Sequence, residues 1–347
     1  MARTGIVRHP LYIEHDMGPY HPETPRRLTS IYAMLDTPEM TGRFTEIEPR
    51  KSGFSDLVRV HDPGYIQTVA ATKGRAVSLD PDTSTCPASY DAAILAAGGT
   101  LAAIDAVMYG RVRNAFCLHR PPGHHAERDR AMGFCFFNNV AVGAAHALET
   151  HELERVLIVD PDLHHGNGTQ HSFYHQQNVL YMSTHQYPFY PGTGHYREVG
   201  DGEGRGFTVN VPLDYGYGDG DFERVFDELL MPIARAYRPE LVLMSAGFDT
   251  YVDDPLGAMR VTAHGFGIMF DRLLRLADEC CEGRFVAVLE GGYHLAGLTE
   301  SVRTSLDVMD AEPGARGDWT AEPLRPEAVD AVIHAVRQTH APYWPGL

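Results

Sequence analysis

Short unbroken apolar runs alternate along this chain with longer segments in which apolar residues recur every three or four positions. The short runs are Ala115–Leu118, Arg155–Val159, Asn178–Met182, Phe207–Val211, Leu241–Met244 and Phe285–Leu289. Each is four or five residues of mostly apolar character, which suits a strand buried on both faces. The longer segments are Tyr90–Tyr109, which is rich in alanine, then Asn138–Thr150, Asp221–Tyr237 and Ala263–Cys281. Their spacing predicts helices with one face toward a core. Strands that alternate with helices predict an α/β fold, a central parallel sheet with helices on both faces. Neither an internal repeat nor a low-complexity linker interrupts the pattern, so a single domain over residues 1–347 is expected.

Proline and glycine mark the loops at Arg120–Gly123, Pro188–Gly194 and Gly200–Gly206. In an open parallel sheet, ligands bind beyond the carboxyl ends of the strands. Four expected strand ends carry reactive groups: His119-Arg-Pro-Pro-Gly-His-His125, Asp160-Pro-Asp-Leu-His-His-Gly-Asn-Gly168, Ser245-Ala-Gly-Phe-Asp249 and Glu290-Gly-Gly-Tyr293. Each delivers a side chain to the same edge of the sheet.

Composition narrows the partners. The charge balance is 29 − 46 = −17, which repels phosphate backbones, and no run of Lys or Arg offsets it, so direct nucleic-acid binding is not expected. A cationic substrate would be attracted instead. The cysteines Cys86, Cys117, Cys135, Cys280 and Cys281 are odd in number and lack a CxxC pair; a disulfide framework is not expected, and a reducing compartment is. Met1–His9 lacks the apolar run of a signal peptide. No stretch is read as approaching the ~20 apolar residues of a membrane span. A cytoplasmic protein without membrane contact is expected, and a homo-oligomer is compatible with the sequence.

Asp162 and His164 stand two apart, which in an extended loop places both on one side. With Asp249 from another strand end they make a three-ligand set of the kind catalytic Zn²⁺ takes. Two carboxylates and one imidazole would also accept Fe²⁺ or Mn²⁺. The absence of Cys ligands argues against a structural zinc. His124 and His125 follow a rigid Pro-Pro-Gly turn, where an imidazole could take a proton from water and return it to a leaving amine. Asp160 and Asn167 could bond the far nitrogens of that pair and so fix its tautomers. Gly291-Gly292 lets the backbone bend round a ligand, and the Tyr293 phenol could then support a developing oxyanion. Each residue also has a plain structural role open to it. Asp162 could cap a turn, His164 could bond a carbonyl, Asp160 could close a strand, and Tyr293 could fill a core.

Taken in order, these motifs are similar to those of the histone deacetylase superfamily, with its arginase-like α/β fold, and resemble class II-like and bacterial deacetylase homologues most. The resemblance runs from His21 to Leu298. It is carried by His21-Pro-Glu-Thr-Pro-Arg26, Arg120-Pro-Pro-Gly-His-His-Ala126, Gly133-Phe-Cys-Phe-Phe-Asn-Asn139, Asp160-Pro-Asp-Leu-His-His-Gly-Asn-Gly-Thr-Gln170, Phe189-Tyr-Pro-Gly-Thr-Gly194, Ser245-Ala-Gly-Phe-Asp249 and Glu290-Gly-Gly-Tyr293. It implies that Asp162, His164 and Asp249 hold zinc, that His125 is the general base beside a mainly electrostatic His124, and that Asp160 and Asn167 partner them. It makes Tyr293 the catalytic tyrosine, Phe134 and Tyr190 the walls of an acyl-lysine tunnel, and Gly133 a residue beside its floor. It further implies structural K⁺, with one site near Asp160, Asp162, His164 and Ser183 and a second near Phe173, Val179 and Phe207.

Some positions discriminate within the family. Asn167 stands where class I has aspartate, which implies a less basic His125. Pro161 stiffens the metal loop, and Tyr190 adds a hydroxyl to the tunnel. Tyr293 is not the histidine of the weakly active branch. Leu256 stands where polyamine-selective relatives can carry glutamate, which favours an acetylated lysine peptide or protein as substrate. An acetylpolyamine amidohydrolase acting on an acetylated polyamine or other small amide remains the alternative. A non-catalytic acyl-lysine reader is less well matched, and so is a binuclear manganese ureohydrolase.

Overall fold

A computed structural model describes residues 4–347; the expectation for Met1–His9 falls outside it at Met1–Arg3. Ten strands are labelled in chain order: β1 Gly5–Val7, β2 Thr45–Glu46, β3 Ser78–Asp80, β4 Thr83–Ser84, β5 Asn114–Cys117, β6 Val156–Asp160, β7 Val179–Gln186, β8 Thr208–Leu213, β9 Leu241–Ala246 and β10 Phe285–Leu289. Eight form one parallel sheet in the order β2-β1-β5-β10-β9-β6-β7-β8. β3 and β4 form a small antiparallel ribbon outside it. The α/β architecture read from the apolar runs is therefore present. β1 and β2, which the runs do not reveal, extend the sheet at one edge. They are only three and two residues long, and β2 is exposed, so neither leaves an apolar run to find.

β5, β6, β9 and β10 are buried along their whole length, the condition that makes their sequences continuous in apolar residues. The helix Ser89–Met108 lies deep in the fold, with residues such as Ala96, Ala97, Leu101 and Ala103 wholly inaccessible. Its small side chains let it approach the sheet and the helix Asn139–Thr150 closely: a Cβ on Gly143 would lie 2.8 Å from Thr100 Cγ2. This helix corrects the expectation that no segment reaches membrane-spanning length. It has 20 residues, with a mean hydropathy of 1.5, yet 83% of its apolar window is buried inside the protein. A helix apolar all round is equally a core helix.

The helix expected over Asp221–Tyr237 is interrupted. Regular turns cover Asp219–Val225 and Met231–Tyr237, and a wider turn joins them over Phe226–Leu230, where the Met231 amide reaches back to the Phe226 carbonyl. Pro232 explains it. Proline lacks an amide hydrogen and its ring crowds the carbonyl four residues earlier, and a widened turn relieves both. Ala263–Cys281 is one continuous helix, opened by Thr262, whose hydroxyl accepts from the His264 amide. The five cysteines are free.

The sheet order decides where the chemistry goes. The central neighbours β5, β10, β9 and β6 are the four strands whose carboxyl ends carry the reactive loops. Cys117 pairs with Val288, Leu289 with Ala246, and Met244 with Val159, so the four strands end nearly level. With strands ~4.8 Å apart, four of them span only ~14 Å.

Candidate active site

Asp160 closes β6, and the following loop turns tightly enough to bring Asp162 and His164 to one side. The Asp160 carboxylate accepts from the Asp162 amide at 3.3 Å, and the Asp162 carboxylate accepts from the His164 amide at 2.9 Å. Asp249 leaves the neighbouring β9 and accepts from the Leu163 amide at 2.8 Å. One ligating atom each of Asp162, His164 and Asp249 lies within 4.8 Å of the others. His164 Nδ1 is 3.4 Å from Asp162 Oδ1 and 3.0 Å from Asp249 Oδ2. Close backbone approach makes this packing feasible. A Cβ on Gly291 would lie 2.7 Å from Asp162 Oδ2, and the Gly291 amide donates to that oxygen at 2.9 Å.

The charges of this trio call for a cation. Burial and the Asp162 carboxylate push Asp249 up to about 7. Burial opposes a charge on His164, but Asp162 and Asp249 outweigh it and raise the imidazole to about 9. Two buried carboxylates and an imidazole at such spacing fit a divalent ion, whose charge relieves the repulsion. The donor set of two oxygens and one nitrogen is that of a three-ligand catalytic zinc site and is equally suited to Fe²⁺ or Mn²⁺.

The two expected histidines sit beside it with their ring centres 4.0 Å apart. His124 Nδ1 lies 3.0 Å from Asp160 Oδ2, an oxygen that also accepts from the Tyr181 hydroxyl at 3.1 Å. His125 Nδ1 lies 2.8 Å from Asn167 Oδ1. The environments split the pair. Burial opposes a charge on His124, but Asp160, Asp162 and Glu290 outweigh it and raise the ring well above the usual histidine range. Burial lowers His125, and the neighbouring His124 and His164 lower it further. The two rings are thus pushed in opposite directions, the division that acid–base sites use.

A narrow cavity of about 80 Å³ leads to this point, with His125 and His164 in its lining. Gly133, Phe134, Tyr190, Leu256 and Tyr293 complete the wall with Asp82, so every residue expected on the tunnel is on it. Gly133 has φ +56°, and a Cβ there would lie 2.7 Å from His125 Cγ. Phe134 also takes a positive φ, 68°. Its amide donates to Thr83 Oγ1 at 3.0 Å, which ties it to the β3–β4 ribbon. Tyr190 meets His125 edge-on at 5.2 Å between ring centres, and Tyr293 meets Phe134 edge-on at 6.0 Å. Phe189 stacks on His164 at 5.6 Å.

A histone deacetylase domain matches residues 21–309. The chain belongs to the histone deacetylase family. It is 37% identical to a probable deacetylase of Archaeoglobus fulgidus over 98% of both chains. It is 40% identical to the human polyamine deacetylase HDAC10 over 94% of this chain and 50% of that protein. Histone deacetylase 5 of Arabidopsis thaliana is 36% identical over 99% of this chain and 54% of its own length. The chain thus spans about half the length of these two eukaryotic relatives. The crystal structure of the HDA15 HD domain superposes with a TM-score of 0.91 at 36% identity, over 99% of this chain and 96% of the other.

Beyond the expected family residues, the structure adds several that the sequence did not reveal. Asp82 lies at the tunnel mouth, where its carboxylate accepts from the Gly133 amide at 3.2 Å. Asp254 accepts from the amides of Tyr293 at 2.6 Å and His294 at 3.1 Å. Glu290, which opens a motif already singled out in the sequence, receives the Gly123 amide at 2.7 Å, and burial pushes its carboxyl up to about 7. Glu23 belongs to the motif His21–Arg26, which has no role assigned from sequence, and Arg27 follows that motif directly. Arg27 donates to the carbonyls of Gly292 at 2.6 Å and Glu290 at 2.5 Å, and its guanidinium stands 5.0 Å from the Tyr293 ring centre. Glu23 bridges Arg27 to the buried Arg120. These contacts hold the loop that carries Tyr293.

The residues expected to hold K⁺ divide between two places. Asp160 and Ser183 are register partners on β6 and β7, and Ser183 Oγ lies 2.9 Å from His185 Nδ1. Phe173 ends the helix Asn167–Phe173, Val179 opens β7, and the Phe207 carbonyl accepts from the Tyr181 amide. A second cluster of ligand-type residues, Asp105, His146 and His151, lies apart from the tunnel. Both imidazoles bond one oxygen of Asp105 at 2.8 Å, and Arg59 lies 3.2 Å from the other nitrogen of His146. A guanidinium so close favours a hydrogen-bonded triad over a cation site.

Proposed function

We propose that this protein is a metal-dependent deacetylase that hydrolyses the acetyl amide of a lysine side chain. The observation that carries the reading is the convergence of His125, His164 and Tyr293 on one narrow cavity walled by Phe134 and Tyr190. A cavity of only about 80 Å³ between two aromatic rings suits a slender unbranched stem.

A divalent ion held by Asp162, His164 and Asp249, zinc by its donor set, would supply Lewis-acid polarisation of the amide carbonyl and a more acidic water. His125, neutral and buried, takes a proton from the attacking water and returns it to the departing nitrogen. His124, cationic beside Asp160, stabilises the negative charge that develops nearby. Tyr293 donates its hydroxyl hydrogen bond to the carbonyl oxygen as that oxygen gains charge. Phe134 and Tyr190 hold the aliphatic stem so that the amide arrives in one orientation. The products are acetate and a free amine. Oxygen atoms near Asp160, Asp162 and Ser183, and near Phe173, Val179 and Phe207, would hold K⁺ as structural ions in the same reading.

Leu256 at the mouth supports acetyl-lysine over an acetylpolyamine, since it offers no partner to a second ammonium. The 40% identity to a polyamine deacetylase keeps the small-amine substrate as the second reading. Turnover of the zinc-loaded protein on an acetyl-lysine peptide and on acetylputrescine, side by side, tests both. Higher kcat/KM on the peptide is expected. Preference for acetylputrescine would reverse the substrate, and no turnover on any acyl amide would remove the enzyme reading.

A further inference from the structure

The Asn167 amide is held at both of its ends. Its oxygen lies 2.8 Å from Nδ1 of His125. Its nitrogen faces three groups that offer only acceptors: Glu127 Oε1 at 2.5 Å, the His125 carbonyl at 3.3 Å and Met132 Sδ at 3.5 Å. The two ends of an amide have nearly the same shape, so its partners decide which way it points. Turned over, Asn167 would set its oxygen against the Glu127 carboxylate and the His125 carbonyl. Both Asn167 and Glu127 are buried, and such a clash of acceptors is costly where water cannot intervene. Glu127 is itself anchored by Nδ1 of His171 at 2.9 Å, on a ring whose side chain is half exposed.

This orientation selects a tautomer. Asn167 Oδ1 can only accept, so Nδ1 of the neutral His125 ring carries the hydrogen and Nε2 keeps its lone pair. A reversed amide would present N–H to Nδ1 and force the hydrogen onto Nε2. A ring already protonated there cannot take a proton from water. An aspartate at this position would need no support, because both its oxygens accept. An asparagine is reliable only with an acceptor fixed behind it.

We propose that Glu127 is a positioning residue that locks the productive tautomer of His125 through Asn167. The proposal rests on the reading of His125 as the base, but the lock itself is measurable without turnover.

The test is nitrogen-15 NMR of histidine-labelled, metal-loaded protein, with the His125 resonances assigned from a His125→Ala variant, alongside kinetics on an acetyl-lysine peptide. Wild type is expected to show a single tautomer with the hydrogen on Nδ1. Glu127→Leu should show the Nε2–H form, and kcat should fall about 10- to 100-fold, a part of the 10²–10⁴ that a positioned base supplies. KM should stay within about twofold, since Glu127 does not face the substrate. Glu127→Gln keeps the shape, and its amide can offer Asn167 either an oxygen or an NH₂, so it should fall between the two. It also keeps the test decisive if the leucine variant folds poorly. An unchanged Nδ1–H tautomer in the folded variants would overturn the proposal, as would a mixed tautomer with unaltered kcat. A wild-type protein without turnover would fail the deacetylase reading alone, and the tautomer comparison would still judge the lock.

Discussion

His164 Nδ1 lies 3.0 Å from Asp249 Oδ2, although 85 positions separate the two residues in the chain. They meet because β6 and β9 are neighbours, and Asp162 closes the same corner. Removing a bound ion should therefore abolish activity, and added Zn²⁺ should restore it. Asp249→Asn should lower the metal content of purified protein to a small fraction of wild type by elemental analysis. Full metal content in that variant would take Asp249 out of the ligand set.

Tyr293→Phe tests the phenol alone. The Tyr293 amide is tied to Asp254 and the ring faces Arg27, so the loop should stay in place without the hydroxyl. Turnover should fall about 10²–10³-fold, the usual effect of losing one oxyanion donor. Melting temperature and metal content should hold. Near wild-type kcat would exclude Tyr293 from the chemistry.

Gly133→Ala tests the tunnel floor. The residue sits at φ +56°, and the new methyl would collide with the His125 ring. Strain and displaced base act together, so kcat should drop by about 100-fold or more, within the range that a positioned base supplies. The measurement is kcat at saturating acetyl-lysine peptide, with circular dichroism to confirm the fold. An active alanine variant would mean that His125 tolerates displacement.

Glu23 links acid stability to the loop that carries Tyr293. Burial alone would raise its carboxyl, but Arg120, and then Arg27, outweigh it and hold it down at about 2, against an ordinary value of 4.5. A depressed folded-state value means that the ionised form stabilises the fold above about pH 4.5 and that this contribution is lost as pH falls toward about 2. Urea unfolding across that window should show the loss. Glu23→Gln should cost about 3–5 kcal/mol at neutral pH, as expected when one partner of a buried ion pair is removed. The variant should also depend less on pH across the window. An equal pH slope in variant and wild type would contradict the assignment.

Leu256→Glu should move the substrate preference. A carboxylate there would join Asp82 at the tunnel mouth and meet the second ammonium of a polyamine. The ratio of kcat/KM for acetylspermidine over acetyl-lysine peptide should rise about tenfold, equivalent to about 1.4 kcal/mol. An unchanged ratio would place the selectivity elsewhere on the rim.

The buried strands and the reactive strand ends were legible because burial on both faces forces an apolar run, and because polar residues at the end of such a run have no core role. β1 and β2 were not, being too short to hold a pattern, and Pro232 reshaped a helix whose apolar spacing read as continuous. Asp254, Glu23 and Glu127 were missed for a different reason. Each acts through bonds to residues 39, 97 and 40 positions away, and a lone acid in a loop carries no sign of such a partner. The expectation that Asn167 leaves His125 less basic than an aspartate would is a local one; the Glu127 carboxylate that meets the Asn167 amide nitrogen is what the sequence does not reveal.

The sequence by itself determined the fold class and nearly all the reactive groups, since apolar periodicity and short motifs are local properties. Tertiary structure decided the assembly. After β8 the chain returns, and β9 and β10 insert between β5 and β6, so that loops far apart in sequence become neighbours at one rim. Only that order crowds four carboxylates, of Asp160, Asp162, Asp249 and Glu290, and three imidazoles into a space where burial and mutual charge set which of them holds a proton.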